Sequence, residues 1–397
     1  MMKVNVAAAC VAACVLGSGL AAAQPKKLEP AAAVDLAALA EKIVGKTANV
    51  VTGEIVQIST GPNDVALAEE LAVAVRKRGA FALITLDSEN LAKKSIASVP
   101  EQYDSQAPKL SLALAKLVNV EITIPAIRDP GIYAALPVAR QAAQSKVGAQ
   151  VAQLRVKRNV RRIEVGNGLA PSPSRAKELG VSEAELAKLF WDGVSADYGP
   201  IEAKATALKA VLAKGGELHI THPNGTDLTM KIRGRKVLTS DGVLSDADKK
   251  AGGANVNVWL PAGEVYLSPV PGSVTGKVVD DRSSYMDKEV LGLTLEVKAG
   301  KITSVSAKSG WDAIQPRYDA AGPGKLELGV FDIGINPAVK TTPKLESFVS
   351  AGMVTLMTGN NVWAGGTNQE PFALVLHLPG TTVMLDGKPL IENGALK

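Results

Sequence analysis

A chain of 397 residues with a net charge of +5 is long enough for two domains that each bury a core without disulfides or metal staples. Its lysines and arginines are scattered along the sequence and are not interleaved with aromatics, which are only 4% of the residues. The charge therefore reads as a solubility feature, and nucleic acid is excluded as a partner.

The first two dozen residues stand apart. Lys3 precedes a small, apolar run over residues 4–20, and Ala21-Ala22-Ala23 before Gln24-Pro25 suits signal peptidase, so residues 1–23 are expected to be a secretory signal. Both cysteines, Cys10 and Cys14, lie inside it, and cleavage after Ala23 leaves a cysteine-free chain suited to a periplasmic or extracellular space. Lipidation at Cys14 is the competing reading, but the apolar segment before Cys14 is short for a signal core and continues past it. No later stretch reaches the roughly 18 uninterrupted apolar residues of a membrane helix.

Residues 24–48 read as a proline-bearing linker and an entry helix, with apolar spacing at Val34, Leu36, Leu39 and Ile43. Residues 49–215 read as an α/β domain with a parallel sheet. A strand at 54–59, a helix capped by Asn63-Asp64 and reaching Arg78, and a strand at 80–86 predict a right-handed βαβ crossover. Gly61-Pro62-Asn63 lacks the G-x-G-x-x-G fingerprint and reads as a plain turn. A helix at 109–117, a strand at 120–124 and a helix at about 133–147 follow, and the basic segment 155–162 reads as a solvated face. After a proline-bearing break at 170–175, Ser182-Glu183-Ala184-Glu185 opens one helix with a capping box, and a second helix covers 201–212.

From residue 216 to 397 the pattern changes to short strands. Those at 218–221 and 227–232 flank the hairpin signal Pro223-Asn224-Gly225. Further strands at 256–260, 264–267, 274–278, 294–298, 302–307, 326–331, 353–358, 372–378 and 382–385 predict a β-rich domain, either a barrel or a strongly bent sheet.

Landmarks in this half carry a resemblance. GTDL (225–228), RGR (233–235), NVNVWLPAGEVYLSP (255–269), LGVFDIGIN (328–336), GMVTLMTG (352–359), GGTN (365–368) and LDG (385–387) run in an order similar to that of the thermophilic metalloaminopeptidases, the family of aminopeptidases T and S. The resemblance extends over residues 49–387. It implies the two-domain fold of that family, metal-dependent release of N-terminal residues from peptides, a divalent zinc, cobalt or manganese cofactor, and a homodimer.

Two-metal peptidase chemistry needs a bridging carboxylate and further carboxylates or imidazoles that activate a water. By resemblance, Glu264 of PAGEVY holds a ligand position. The other positions are replaced: Val330 stands for a glutamate, Thr355 for a histidine, Val362 for a tyrosine that assists catalysis, and Ala373 and Val375 for the closing H-x-D. Apolar side chains there let a cleft pack or stay dry, the pattern expected of a pseudoenzyme.

Three functions are compatible with this pattern. One is an exported aminopeptidase homologue with impaired catalysis. Another is a non-catalytic protein that binds a peptide or small ligand on the same fold. The third is a single-metal hydrolase with a relocated site, since Asp332 and His377 lie two residues along their strands from Val330 and Val375 and so share their faces, with Glu264 and Glu370 as further donors. His219 and His222 are three apart on a strand and face opposite sides, which excludes a shared metal. With no G-x-S-x-G elbow, no H-E-x-x-H and no cysteine outside the signal, a nucleophilic hydrolase has no support.

Overall fold

The computed structural model describes residues 34–129, 131–134, 136–285, 288–340 and 347–397. The expected signal at 1–23, its lipidation alternative at Cys14 and the linker residues before Val34 lie outside the described residues. Among the described residues no helix is long and apolar enough to cross a membrane.

The first domain begins with α1 (Leu36–Lys42), whose first turn is capped by the Asp35 carboxylate accepting from Ala38 N–H at 2.9 Å. The expected crossover follows as β1 (Ile55–Thr60), α2 (Val65–Lys77) and β2 (Phe81–Leu86), with β1 and β2 paired in parallel. Next come α3 (Glu89–Ser98), α4 (Lys109–Leu117), β3 (Val120–Thr123), α5 (Gly131–Ala134), α6 (Val138–Lys157) and β4 (Arg161–Val165). The helix expected near 133–147 thus runs on to Lys157, because no glycine cap or proline stops it. Then α7 (Pro173–Leu179), α8 (Glu183–Ser195) and α9 (Tyr198–Lys214) lead out of the domain. Ser182 and Glu185 form the expected capping box at the start of α8.

The basic segment at 155–162 is only partly a solvated face. On β4 alternate residues point to opposite sides, so Arg161 turns inward, donates to Ala48 O at 3.0 Å and to Asn49 O at 2.6 Å, and pairs with Glu54. Arg155 pairs with Glu121, while Arg162 points out.

The second domain starts with β5 (Glu217–His222), β6 (Thr226–Lys231), β7 (Val237–Ser240) and α10 (Asp246–Ala251). The chain then returns to the first domain. β8 (Asn257–Leu260) pairs in parallel with β4, completing a five-stranded sheet in the order β2-β1-β3-β4-β8. After it come β9 (Glu264–Leu267), β10 (Thr275–Tyr285), β11 (Lys288–Lys298), β12 (Lys301–Ser306), α11 (Gln315–Ala320), β13 (Leu328–Gly334) and β14 (Val354–Thr358). The last strands are β15 (Val375–Leu378), β16 (Thr382–Leu385), β17 (Lys388–Glu392) and β18 (Ala395–Leu396).

These strands form two antiparallel sheets rather than a closed barrel. One has the order β12-β11-β10-β6-β5-β16-β17-β18 and the other β15-β14-β13-β9-β7. One large core runs through both domains, and a second, smaller cluster forms where β7, β9 and β13 meet the first domain.

Candidate functional site

The turn that delivers Glu264 is built by its neighbours. Gly263 has φ +132, a backbone region closed to most side chains, and a Cβ there would come within 2.7 Å of Asn336 Cβ. Asn336 holds the turn from the other side, its Nδ2 donating to Ala262 O at 2.6 Å. The turn places Glu264 at the head of β9, almost fully buried. Asn167, in the Asn-Gly turn after β4, donates from Nδ2 to Glu264 Oε1 and to Pro261 O, each at 3.0 Å. The site therefore lies where the carboxyl end of the parallel sheet meets the five-stranded antiparallel sheet.

Strand register then decides what surrounds Glu264. Gly334 of β13 pairs with Glu264, Asp332 with Tyr266, Asp332 with Thr355 of β14, and Thr355 with His377 of β15. Directly paired residues share a face, so Asp332, Thr355 and His377 form one polar row across three strands. The row beside it is apolar, with Val330 paired to Met357 and Met357 to Val375. Val330 packs in the small cluster with Leu238, Tyr266 and Ala364, against Trp259 and Trp363. The rings of Trp259, Tyr266 and Trp363 meet at centroid distances of 5.2 to 5.7 Å.

The electrostatics follow from burial. Loss of water pushes the Glu264 carboxyl up to about 8, against the Asn167 hydrogen bond and with help from the charge of Glu164. Burial and the neighbouring Glu264 push Asp332 well above the usual carboxylate range. Neither Asp332 Oδ1 nor the Tyr266 hydroxyl has a hydrogen-bond partner among the described residues. Thr355 Oγ1 lies 3.0 Å from His377 Nδ1, and Phe348 stacks edge-on against the imidazole at 4.8 Å. Although part of its surface stays open, the packed surroundings of His377, with a lesser contribution from Arg175, bring its imidazole down to about 3.

The expected donors thus sit on one face without closing into one cage. Asp332 neighbours Glu264 diagonally, but His377 is two strands away, about 9.5 Å between backbones. Glu370 turns elsewhere, accepting from Phe372 N–H at 3.3 Å beside the turn at Gly322. Ala373 lies just before β15, and Val362 opens a short 3-10 turn; both are half-buried. Among the described residues no group of three or more His, Cys, Asp or Glu side chains could hold a metal ion. His219 pairs with Asp227 at 2.8 Å, and His222 Nδ1 accepts from Asn224 N–H at 3.1 Å.

Asn167, Glu164, Tyr266, Trp259 and Trp363 are site residues that sequence reasoning missed. Tyr266 was within reach, since it follows Glu264 by two on a strand and must share its face. Asn167, at φ +43 before Gly168, carried the signature of a tight turn but no sign of what it touches.

A family profile described as thermophilic metalloprotease (M29) matches residues 33–320, most of the chain. The chain belongs to the thermophilic metalloprotease (M29) family. Among solved structures it is similar to AmpT from Thermus thermophilus, with a TM-score of 0.70 and 20% identity over 91% of this chain and 98% of that one. It is also similar to 2,5-dihydroxypyridine dioxygenase from Pseudomonas putida KT2440, with a TM-score of 0.56 and 14% identity over 91% of this chain and 96% of that one. No curated protein sequence matches. M29 membership and the α/β plus β-rich architecture agree with the resemblance read from the landmarks. A metalloprotease of this family works with divalent metal, but the donors gathered around Glu264 do not fit a two-ion centre. Such a centre needs more anionic or imidazole ligands than Glu264 and Asp332 supply.

Proposed function

We propose that this chain is an exported M29 homologue whose cleft no longer performs two-metal peptide hydrolysis and instead binds a peptide terminus or another small polar ligand. The observation that supports the reading is an apolar row that includes Val330 and Val375, two positions where the family resemblance implies charged ligands. Val330, Met357 and Val375 occupy the face beside Asp332, and Val330 is sealed in with Tyr266 and two tryptophans. A metal-bound carboxylate at Val330 would have to be ionised inside that cluster.

What remains is suited to hydrogen bonding. Glu264 and Asp332, held toward their neutral forms, can donate as well as accept. Asp332 Oδ1 and the Tyr266 hydroxyl, unpaired among the described residues, would be satisfied by an amide or hydroxyl from a ligand. Export rests on the charge, apolar run and Ala-rich cleavage pattern of residues 1–23.

The test is metal content by mass spectrometry on protein exposed to zinc, cobalt or manganese and then desalted, beside Glu264→Ala. The expected result is no near-stoichiometric metal in either protein. Near-stoichiometric metal that disappears in the variant would overturn the proposal and establish a rebuilt single-ion site on Glu264 and Asp332.

A further inference from the structure

The segment between β2 and β3 is held to the first domain by hydrogen bonds rather than by an apolar core. No residue of α3 is buried, and of α4 only Ala115 is. The anchor is a polar clamp on α6. Arg140 donates to Ile96 O at 3.1 Å and to Val99 O at 3.0 Å, and its Nε meets the buried Asp104 carboxylate at 2.5 Å. Gln144 donates to the same carboxylate at 2.8 Å. A clamp of this kind fixes the segment from beneath and leaves its large apolar side chains outside. Leu110 is 74% exposed and Leu117 59%, and Leu91, Val99 and Tyr103 are exposed as well.

The exposed groups are ordered. On α4, Lys109, Leu110, Ala113, Lys116 and Leu117 fall at i, i+1, i+4, i+7 and i+8, so they share one side of the helix, and all five are exposed. At about 100° per residue the two leucines lie together, and the two lysines run along one flank of them. α3 adds exposed Lys93 and Lys94. The acids between Glu89 and Leu117 do not offset these charges. Glu89 turns toward the loop after β3, where its Oε1 accepts from the N–H groups of Arg128 and Asp129 at 3.1 Å each. Asp104 is taken up by the clamp, which leaves Glu101 exposed against four lysines.

We propose that the face formed by α3 and α4 docks peripherally on an anionic lipid bilayer. α4 lies in the plane of the headgroups with Leu110 and Leu117 directed at the acyl boundary. Lysines at the border of an apolar strip are the arrangement of an interfacial helix, because their stems cover apolar surface while their ammonium groups reach lipid phosphate. Tyr103, in the connection between α3 and α4, has the apolar ring and polar tip that suit the headgroup level. With two leucines and four lysines the attachment is reversible, and it weakens with salt because exposed charges are screened.

Vesicle co-sedimentation tests this. The chain used begins at Gln24, which retains every described residue and omits the apolar run 4–20. Vesicles are equal parts phosphatidylglycerol and phosphatidylcholine, or phosphatidylcholine alone. Binding is expected to the anionic vesicles only, and it is expected to fall as salt rises. Lys109→Gln/Lys116→Gln should weaken it by about fivefold for each lysine removed, and Leu110→Ser/Leu117→Ser by about tenfold or more. Val211→Ser, at an exposed apolar position on α9 outside the segment, should leave it unchanged. Near-ultraviolet circular dichroism reports whether each variant is folded, and if the leucine pair fails to fold, the lysine pair decides. Equal binding to both kinds of vesicle overturns the proposal, as does undiminished binding in the lysine pair or in a folded leucine pair. Binding to neither kind also overturns it and would leave an acidic protein as the partner of this face.

Discussion

Val330 exposes only 1% of its surface, at a position where the family resemblance calls for a carboxylate. Restoring it as Val330→Glu would bury a carboxyl among Leu238, Tyr266 and Ala364, close to Asp332 and Glu264, which already favour their protonated forms. We expect a loss of about 2–4 kcal/mol, since neither water nor a positive partner is at hand. Urea unfolding of the variant with and without zinc measures it. Recovery of wild-type stability in zinc would mean that the pocket still accepts an ion. At this scale the landmarks that carry the family resemblance explain themselves. Thr226 of GTDL exchanges hydrogen bonds with Val279, accepting from its N–H at 3.0 Å and donating to its C=O at 3.2 Å. Asp386 of LDG caps the amides of Gly216 and Glu217, each at 2.9 Å. Arg235 of RGR donates to Ser268 O at 2.7 Å and Gly365 O at 3.2 Å. They hold the scaffold, so similarity in them transfers the fold and leaves the chemistry to other residues.

Among elements, the turn between β8 and β9 couples the two domains, because β8 belongs to one sheet and β9 to another. Gly263 makes that reversal possible. In Gly263→Ala the new methyl would meet Asn336 Cβ at 2.7 Å and its backbone N at 2.9 Å, on top of the strain of φ +132. A cost above about 2 kcal/mol is expected, read as a lowered urea midpoint. Gly148→Ala in α6 is the control. A Cβ there has nothing within 4 Å, and removing a helical glycine should stabilise by about 0.5–1 kcal/mol. Equal effects in the two variants would mean that the turn tolerates a side chain and does not constrain Glu264.

For the molecule as a whole, buried ionisable groups give stability a pH optimum. Glu264 has its folded value raised from 4.5 to about 8, so the folded state holds the extra proton and stability is lost as pH rises through that window. Asp332 acts in the same direction. The slope for one such group is at most about 1.4 kcal/mol per pH unit. His377 works oppositely. With its folded value lowered from 6.5 to about 3, stability is lost as pH falls through that range. Between 4.5 and 6.5 the histidine offsets one of the two carboxyls but not both, so melting temperature should already fall with rising pH across that range and go on falling toward pH 8. Thermal melts of wild type, Glu264→Gln/Asp332→Asn and His377→Asn check the assignment. The paired carboxyl variant should lose the alkaline decline and the histidine variant part of the acid one; an alkaline decline that survives in the paired variant would point to other groups.

The order of strands and helices, the capping box at Ser182, the crossover from β1 to β2 and the family were legible in the sequence, because periodicity, caps and turn residues are local and leave local marks. So was the apolar character of Val330 and Val375. Three features needed the tertiary structure. β8 crosses back into the first sheet, which nothing within its four residues can signal. The inward pairing of Arg161 leaves no local mark, since its partner Glu54 is more than a hundred residues away in sequence. Asp332 settles beside Glu264 while His377 stays two strands off, since pairing register is set by contacts between strands distant in the chain. A sequence states which side chains are available; long-range pairing decides which of them meet, and here it brings two buried carboxyls together and leaves the histidine apart.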